Sequence, residues 1–577
     1  MRFGMWADVR RKLGALVTPP AGPAVRAAGR VWHLSPQGLA LFGAAGPDYD
    51  RWLADGSAAV VKSGPHRTVY RVALADETVY VKHCRINGSR AWGREVLRPP
   101  KARLEFENAA RLIALGVGAA VPLAWGTADS VWPGESVLIT RALGPAVPFT
   151  DFVAQRLPEF RPADQRHIRR QFACGLGRFM ARLHDSGVTH PDPHPGNLLV
   201  ELPPSLVPQF SLLDVHAVRF GAPLGWAASR ANLVLYNRWF QLRASAAERA
   251  RFWREYRLAR QTVSIAEDAH TQAAELERAT RASNRRFWLA RTARYRGTHR
   301  TIRKVRAASV SGLAVRDLPD DFLRDLLRDP DAILARPDAR VLKRCVGSTV
   351  VEFDIPTPDG PRSVVVKRVN VRSALDPLKN LFRSSAVRRS WLYGHGMLER
   401  WLPTPRPLVV LHRYRARCLP AEGYLVTEKV PDALGLPEAV RACQAPNVLR
   451  AWAERLARVL RAMHDRGVSH RDLKAPNVML AGATTDPAGA TPVLVDLVGV
   501  RAGRTAVPFA RCARELARLN ASFLTAGQVT RTERLRFLRA YLGAGERQSD
   551  WKRWWTAVFR ATVAKVAKSR RTGRAIG

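Results

Sequence analysis

The sequence is written twice. His184-Asp-Ser-Gly-Val-Thr-His190 returns as His464-Asp-Arg-Gly-Val-Ser-His470, 280 residues further on (190 to 470). The residues before each motif repeat too. Phe172, Leu176, Phe179, Met180 and Leu183 stand at the spacing of Trp452, Leu456, Val459, Leu460 and Met463, a helical apolar stripe of the kind that packs on a core. Downstream, Asn237-Arg-Trp-Phe through Arg251-Phe-Trp-Arg-Glu-Tyr parallels Asn520-Ala-Ser-Phe through Arg536-Phe-Leu-Arg-Ala-Tyr. Upstream, Val60-Val-Lys to Thr68-Val-Tyr and Val341-Leu-Lys to Thr349-Val-Val are β-rich stretches around a glycine, each followed by a β-branched run ending in lysine. Two copies of one fold explain this, and 577 residues are too many for one compact core. Each copy reads as strands, helix, strands, helix, motif loop, strand pair and terminal helices. The turn signals Asp317-Leu-Pro-Asp-Asp and Arg328-Asp-Pro-Asp place a joint at 309–337. The expected order is an N-terminal extension (1–45), a first domain (46–308), the joint and a second domain (338–577).

The motif loops carry the chemistry. Val468-Ser-His-Arg-Asp-Leu-Lys-Ala-Pro-Asn477 resembles the kinase catalytic loop H-R-D-x-x-x-x-N, and Val493-Leu-Val-Asp496 is an apolar strand ending in an acid. Phosphoryl transfer needs a carboxylate to orient and deprotonate the acceptor hydroxyl, and Asp472 is placed for that. Asn477 and Asp496 offer oxygens of the type Mg²⁺ prefers, and Lys474 can meet the transferring phosphate. The first copy repeats the spacing in His190-Pro-Asp-Pro-His-Pro-Gly-Asn197, with Asp192 and Asn197 five apart and Asp214 closing Phe210-Ser-Leu-Leu. His194 stands where Lys474 stands, which removes a permanent charge from that position. Pro191 replaces the arginine that reads a phosphorylated activation loop in many protein kinases, so this copy is not expected to be switched that way.

Each copy also has a strand lysine of the kind that pairs α/β-phosphates, Lys82 in Val79-Tyr-Val-Lys and Lys367 in Val364-Val-Val-Lys. The helix Arg103-Leu-Glu-Phe-Glu-Asn-Ala-Ala-Arg-Leu offers Glu105, or else Glu107, as an ion-pair partner for Lys82. The corresponding helix Arg388-Arg-Ser-Trp-Leu-Tyr-Gly-His has Ser390 at the matching place and no acid nearby. Lys367 therefore needs another partner, or its copy is a weak catalyst or a pseudokinase. Gly64 and Gly347 mark the turns that would cover the phosphates, without a G-x-G-x-x-G or Walker A sequence.

With these residues in place, the chain resembles the lipopolysaccharide kinase family, the Kdo and heptose kinases of Gram-negative bacteria. Glu105-Phe-Glu-Asn-Ala-Ala-Arg-Leu to Gly116-Val117 is similar to that family's helix-then-GvpxP pattern, and Leu402-Pro-Thr-Pro-Arg-Pro-Leu with Gly423-Tyr-Leu-Val-Thr-Glu428 to its crossing into the ATP hinge. The resemblance implies an α+β fold of two tandem bilobal protein-kinase-like domains, each with a small antiparallel β-rich N-lobe and a helical C-lobe. It implies ATP and Mg²⁺, and phosphate transfer to a sugar hydroxyl of lipopolysaccharide core or another lipid-linked glycan. Carried over residue by residue, Asp192 and Asp472 are bases, Asn197, Asp214, Asn477 and Asp496 metal ligands, and Lys82 and Lys367 phosphate anchors. Asp192-Pro-His-Pro-Gly-Asn197 also resembles the atypical kinases of ubiquinone biosynthesis, whose Lys-x-Gly-Gln signature is absent here. A protein Ser/Thr kinase and a silent pseudokinase scaffold at an anionic membrane surface are the competing readings.

Composition bears on partners. A formal net charge of +44 draws the protein toward polyanions such as phospholipid or phosphorylated glycolipid surfaces, although Arg on a solvated surface accounts for it equally well. No nucleic-acid motif accompanies the charge, so specific nucleic-acid binding is not expected. The six cysteines (Cys84, Cys174, Cys345, Cys418, Cys443, Cys512) form no C-x-x-C pair, which points to a reducing compartment rather than a disulfide or zinc framework. The N-terminal Arg10, Arg11 and Lys12 are followed by Pro19, Pro20 and Pro23 before a signal-peptide core develops, so a cytoplasmic protein, peripheral at most on the inner membrane face, is expected. Two basic aromatic runs, Arg285-Arg-Phe-Trp-Leu-Ala-Arg-Thr-Ala-Arg-Tyr-Arg and Trp551-Lys-Arg-Trp-Trp-Thr-Ala-Val-Phe-Arg, are expected to close the two copies by packing on the large lobes.

Overall fold

The computed structural model describes residues 24–572 apart from 76, 97, 131, 263–267, 371–384, 416–418, 525 and 544–548. The basic and proline-rich start of the chain and Cys418 thus lie outside the described residues. The chain divides into two compact units, Met1–Thr280 and Arg281–Gly577.

In the first unit, seven antiparallel strands form one sheet: β1 (Ala24–Ala27), β2 (Arg30–Leu34), β3 (Ala58–Gly64), β4 (Arg67–Ala73), β5 (Thr78–Cys84), β6 (Pro122–Ala128) and β7 (Ser136–Arg141), in the order β1-β2-β6-β7-β5-β4-β3. Period-two alternation in β4 sends Thr68, Tyr70 and Val72 inward, where Tyr70 and Val72 meet Trp32, Leu34, Val79, Val81, Val137 and Ile139. The outer strand β3 exposes Val60 and Val61 but carries a bulge between Val60 and Lys62, which interrupts the flat edge that another chain could extend. Helix α1 (Lys101–Ala114) packs beside the sheet. Helix α2 (Pro162–Asp185), with proline in its first turn, buries Ile168, Phe172, Leu176, Met180 and Leu183 in the helical lobe. The hairpin β8 (Leu198–Glu201) and β9 (Gln209–Leu212) follows the motif loop.

The second unit repeats this plan. Its strands β10 (Ile302–Ala307), β11 (Val310–Val315), β12 (Arg340–Cys345), β13 (Ser348–Thr357), β14 (Gly360–Val369), β15 (Pro407–Arg415) and β16 (Leu419–Glu428) pair as β10-β11-β15-β16-β14-β13-β12. The edge strand β12 has its own bulge between Val341 and Lys343. Helix α3 (Ala386–Leu398) answers α1, α4 (Pro446–Asp465) answers α2, and the hairpin β17 (Val478–Ala481) and β18 (Thr491–Leu494) closes the comparison.

Three segments differ from their sequence reading. The stretch 309–337 supplies β11 and two short helices, Asp320–Arg328 and Pro330–Leu334, to the second unit. Its Asp-Pro pair is a helix start rather than a linker turn, because the Asp329 side chain accepts from the Asp331 N–H ahead of Pro330. Residues 24–34 of the expected extension are strands of the first sheet, with Trp32 and Leu34 fully buried. The basic run from Arg285 lies on the helix Ala269–Arg294, but its residues belong to the second unit. Trp288 is buried there, Arg291 Nε donates to Glu399 at 2.6 Å, and Trp391 Nε1 donates to the Tyr295 carbonyl at 2.9 Å. In the C-terminal helix Trp551–Arg571, Trp554 is the buried aromatic, Trp551, Trp555 and Val558 pack on the core, and Phe559 and Val563 are exposed beside an apolar cavity of about 870 Å³.

The turn after the lysine-facing helix shows one plan under different strain. The Val117 N–H donates to Leu112 O at 2.9 Å, and the Leu402 N–H to Met397 O at 3.0 Å. Gly116, at φ 71°, fills the left-handed position of the first turn; Trp401, at φ 54°, fills it in the second. Only glycine takes this conformation without cost. An arginine braces each turn, Arg182 donating to Gly116 O at 3.0 Å and Arg466 to Trp401 O at 2.9 Å. Trp401→Gly is therefore expected to stabilise the chain by about 0.5–1 kcal/mol and Gly116→Ala to destabilise it by about 1 kcal/mol, read from urea denaturation midpoints.

Candidate active site

Lys82 projects from β5, whose neighbours β4 and β7 hold it in register opposite Val69 and Leu138. Its ammonium pairs with Glu105 of α1, and Lys82 Nζ also donates to Asp214 Oδ1 at 3.0 Å. Lys82 and Glu105 are each 8% exposed. Burial works against the lysine charge, but Glu105 and Asp214 outweigh it and hold the Lys82 pKa above its ordinary value. Glu107, the other acid on α1, is occupied by Arg103 at 2.7 Å. Asp214 is gripped from a second side, where Arg67 Nη1 donates to Oδ1 at 2.7 Å and Nη2 to Oδ2 at 3.3 Å. Burial would raise the Asp214 pKa, yet Lys82 and Arg67 hold it well below the usual carboxylate range. Arg67 begins β4, just past the turn at Gly64. The sequence reading missed it. Its signal was a cation directly after the Gly64 turn, hidden among 93 Lys and Arg residues.

The motif loop is built from its own backbone. His194 N–H donates to Asp192 O at 2.7 Å, Asn197 Nδ2 to the same oxygen at 3.2 Å, and Leu213 N–H to Asn197 O at 2.8 Å. The last bond sets Asn197 beside the strand end at Asp214, whose left-handed backbone (φ 54°) turns the chain out of the hairpin. Asn108 of α1 donates to Val215 O at 2.9 Å and ties the glutamate helix to that turn. His194 is not a phosphate cation here. Its Nδ1 accepts from Gly196 N–H at 2.9 Å, and burial lowers its pKa, so it caps the turn as a neutral ring.

The second unit has the same loop with fewer charges. Asn477 Nδ2 donates to Asp472 O at 2.8 Å, Val495 N–H to Asn477 O at 2.9 Å, and Asp496 takes φ 55°. Lys474 Nζ lies 3.3 Å from Asp472 Oδ2. Lys367, opposite Val350 as Lys82 is opposite Val69, pairs with Asp496 at 2.9 Å. The partner that the sequence left open for Lys367 is thus the acid of its own hairpin. Ser390, in the register of Glu105, is buried in α3, and the same strand register puts Ser348 where Arg67 stands. Gly347 caps the turn before it and accepts from Asn370 N–H at 3.1 Å.

Behind each loop sits a buried histidine. Arg260 donates to the Tyr256 hydroxyl at 2.7 Å, so the hydroxyl donates to His184 Nδ1 at 2.8 Å, which leaves Nε2–H to donate to Asn232 Oδ1 at 3.1 Å. Asn232 Nδ2 in turn donates to His190 O at 2.8 Å. In the second unit, His464 lies 2.7 Å from the Tyr541 hydroxyl and 3.1 Å from Glu515, whose carboxylate accepts the His470 N–H at 2.8 Å. Burial pushes the His184 pKa down to about 4. Burial also opposes protonation of His464, but Cys512 and Glu515 reverse the sign and raise it to about 9. The charge comes from Glu515, since the Cys512 thiol donates to Val507 O at 3.3 Å.

A twisted antiparallel sheet bearing the lysine, a flanking helix and a helical lobe whose loop and hairpin present Asp, Asn and Asp define a protein-kinase-like fold, present twice. The chain belongs to the lipopolysaccharide kinase (Kdo/WaaP) family, which it matches over residues 58–257 and again over 386–541. Among solved structures, one described as WaaP in complex with acyl carrier protein is 19% identical to it, with 43% of this chain and 97% of that one covered and a TM-score of 0.32. No curated protein matches the chain. Among the described residues, no helix is long and apolar enough to cross a membrane.

The Lys82 cluster, with its lysine and glutamate buried, and the exposed pair differ in what they contribute to folding. Lys82→Ala leaves the buried Glu105 unpaired and Asp214 with Arg67 alone, and is expected to cost the first unit roughly 3 kcal/mol, whereas Lys367→Ala should cost under about 1 kcal/mol, both measured by denaturant unfolding. The histidines give opposite pH dependences. His464 stabilises fully below its ordinary pKa of 6.5, and that stability is lost as pH rises through about 9. Keeping His184 neutral costs nothing above 6.5, and the cost grows as pH falls toward 4. Urea midpoints between pH 4 and 9 should show both arms, and Glu515→Gln should remove the alkaline one.

Proposed function

We propose that this chain is an ATP-dependent phosphotransferase acting on a sugar hydroxyl of lipopolysaccharide core or another lipid-linked glycan, with the first unit as the principal catalyst. The observation that carries this reading is the contact of the buried Lys82 with both Glu105 and Asp214, beside a loop that joins Asp192 and Asn197. Lys82, held in place by Glu105, meets the α/β-phosphates of the nucleotide. Asp192 takes the proton of the acceptor hydroxyl as that oxygen bonds to the γ-phosphorus; the γ-phosphorus–bridging-oxygen bond breaks and ADP leaves. Asp472 has the same role in the second unit, where Lys367 anchors the nucleotide and Lys474 meets the transferring group.

The donor set fits Mg²⁺. Among the described residues no three His, Cys, Asp or Glu side chains gather into a self-sufficient metal cage. Each hairpin instead offers an amide and a carboxylate, and the amide nitrogens of Asn197 and Asn477 are engaged by Asp192 and Asp472, which leaves their oxygens as the ligating atoms. Mg²⁺ is typically held by one or two such groups together with substrate phosphates and water. Asn197 and Asp214, and Asn477 and Asp496, would hold it, and when bound it neutralises charge between the phosphates.

The net charge of +44 suits an enzyme that works as a peripheral protein on an anionic lipid-linked acceptor. Transfer of labelled phosphate from ATP to a total lipopolysaccharide fraction, with total protein as the rival acceptor, tests the reading. Asp192→Ala and Asp214→Asn are each expected to lower transfer at least 10²-fold, and asparagine tolerates the left-handed backbone of position 214. Label appearing in protein alone would favour a protein kinase, and no transfer to either would leave the scaffold reading.

A further inference from the structure

The two clefts balance their charges differently. The first has Lys82 and Arg67 against Glu105 and Asp214; the second has Lys367 against Asp496, with serines at both of the other positions, Ser348 for Arg67 and Ser390 for Glu105. The catalytic loops are unequal in the opposite sense. The second has Lys474 beside its Asp472, whereas His194 in the first is neutral and spent on capping Gly196. A polyphosphate carrying several negative charges needs more than one cation in each cleft, and the first cleft has its second cation on the covering hairpin instead of the loop.

The hairpin itself explains the need. A turn that holds phosphates by backbone alone must present several N–H groups. In Gly64-Pro65-His66-Arg67, Pro65 has none, Gly64 and Arg67 face each other in the ladder, and the Pro65 and His66 carbonyls accept from Asn87 and from Arg85 N–H. Nor is glycine required at 64 by crowding, since a Cβ there would meet only Arg67 O at an ordinary 3.6 Å. The hairpin therefore brings a side chain, not an amide nest, to the cleft. Arg67 is only partly buried, with 31% of its side chain exposed, and its fork lies on both oxygens of Asp214, a carboxylate whose bidentate geometry a phosphate group reproduces.

We propose that Arg67 is a nucleotide-binding residue of the first unit that exchanges the Asp214 carboxylate for the β- and γ-phosphate oxygens of ATP. The same movement frees Asp214, so that the hairpin closes on the nucleotide and the acid becomes available in one step. This inference rests on the kinase reading above.

The test uses the full chain carrying Lys367→Ala, so that only the first cleft is read, and measures binding of ATP with Mg²⁺ and of adenosine by calorimetry. Adding Arg67→Ala is expected to weaken ATP binding roughly ten- to a hundredfold and to leave adenosine binding unchanged, and Arg67→Lys to recover only part of the loss. Equal or tighter ATP binding by Arg67→Ala would mean that Arg67 merely blocks Asp214, and equal losses for ATP and adenosine would mean that the hairpin only props the cleft; either result overturns the proposal while leaving the kinase reading intact. A parent chain that does not bind ATP at all would overturn both.

Discussion

One buried lysine organises the first unit. Lys82 reaches α1 through Glu105 and the hairpin turn through Asp214, so a single ammonium joins the sheet, the helix beside it and the helical lobe. A charge in so dry a place is tolerable only if it is paired on more than one side; Glu105 depends on the lysine, while Asp214 is shared between Lys82 and Arg67. The arrangement is all or nothing. Arg67 completes it, since without a second cation the site would hold two carboxylates against one ammonium.

The second unit shows how such a cluster is dismantled without collapse. Losing the glutamate alone would have left Lys82 and Arg67 in excess, and losing the arginine alone would have left an unbalanced acid. Both are serine in the second copy, and the surviving pair of Lys367 and Asp496 is more exposed and neutral by itself. The fold tolerates this because strand register, the glutamate-helix turn and the hairpin bonds from Asn197 and Asn477 are backbone interactions that do not depend on the cluster. Chemistry and scaffold are separable at these positions.

Much of this was readable from residue spacing. The double motif, the strand lysines and the acids that end the hairpins stand at fixed distances along the chain, whereas the choice between Glu105 and Glu107 is made by contacts, Lys82 taking the first and Arg103 the second. What stayed hidden depended on contacts with no sequence spacing. Arg67 looks like any other arginine in a chain so rich in them, and its contact with Asp214 spans 147 residues. Lys367 has no acid on its helix to pair with, and its partner is Asp496, the counterpart of the hairpin acid that contacts Lys82 in the first copy. The strands at 24–34 and 310–315 fall in the expected extension and joint because short β runs around a Gly read as connection, and pairing with β6 and β15 decides them. The run after Arg285 was assigned to the wrong copy because a continuous helix gives no local mark of where one unit ends.

The buried histidines limit how the two copies can be recombined. Asn232 supports its loop by donating to the carbonyl of His190, and Glu515 supports the other by accepting the amide of His470. These brackets have opposite polarity and grip opposite sides of the equivalent residue. Both backbone groups are present in either loop, so what differs is the gripping side chain: Asn232 leaves its histidine neutral, whereas Glu515 sets a carboxylate in a dry interior that the protonated His464 balances. Anyone exchanging parts between the halves must therefore keep Glu515 with a histidine that can carry the balancing charge.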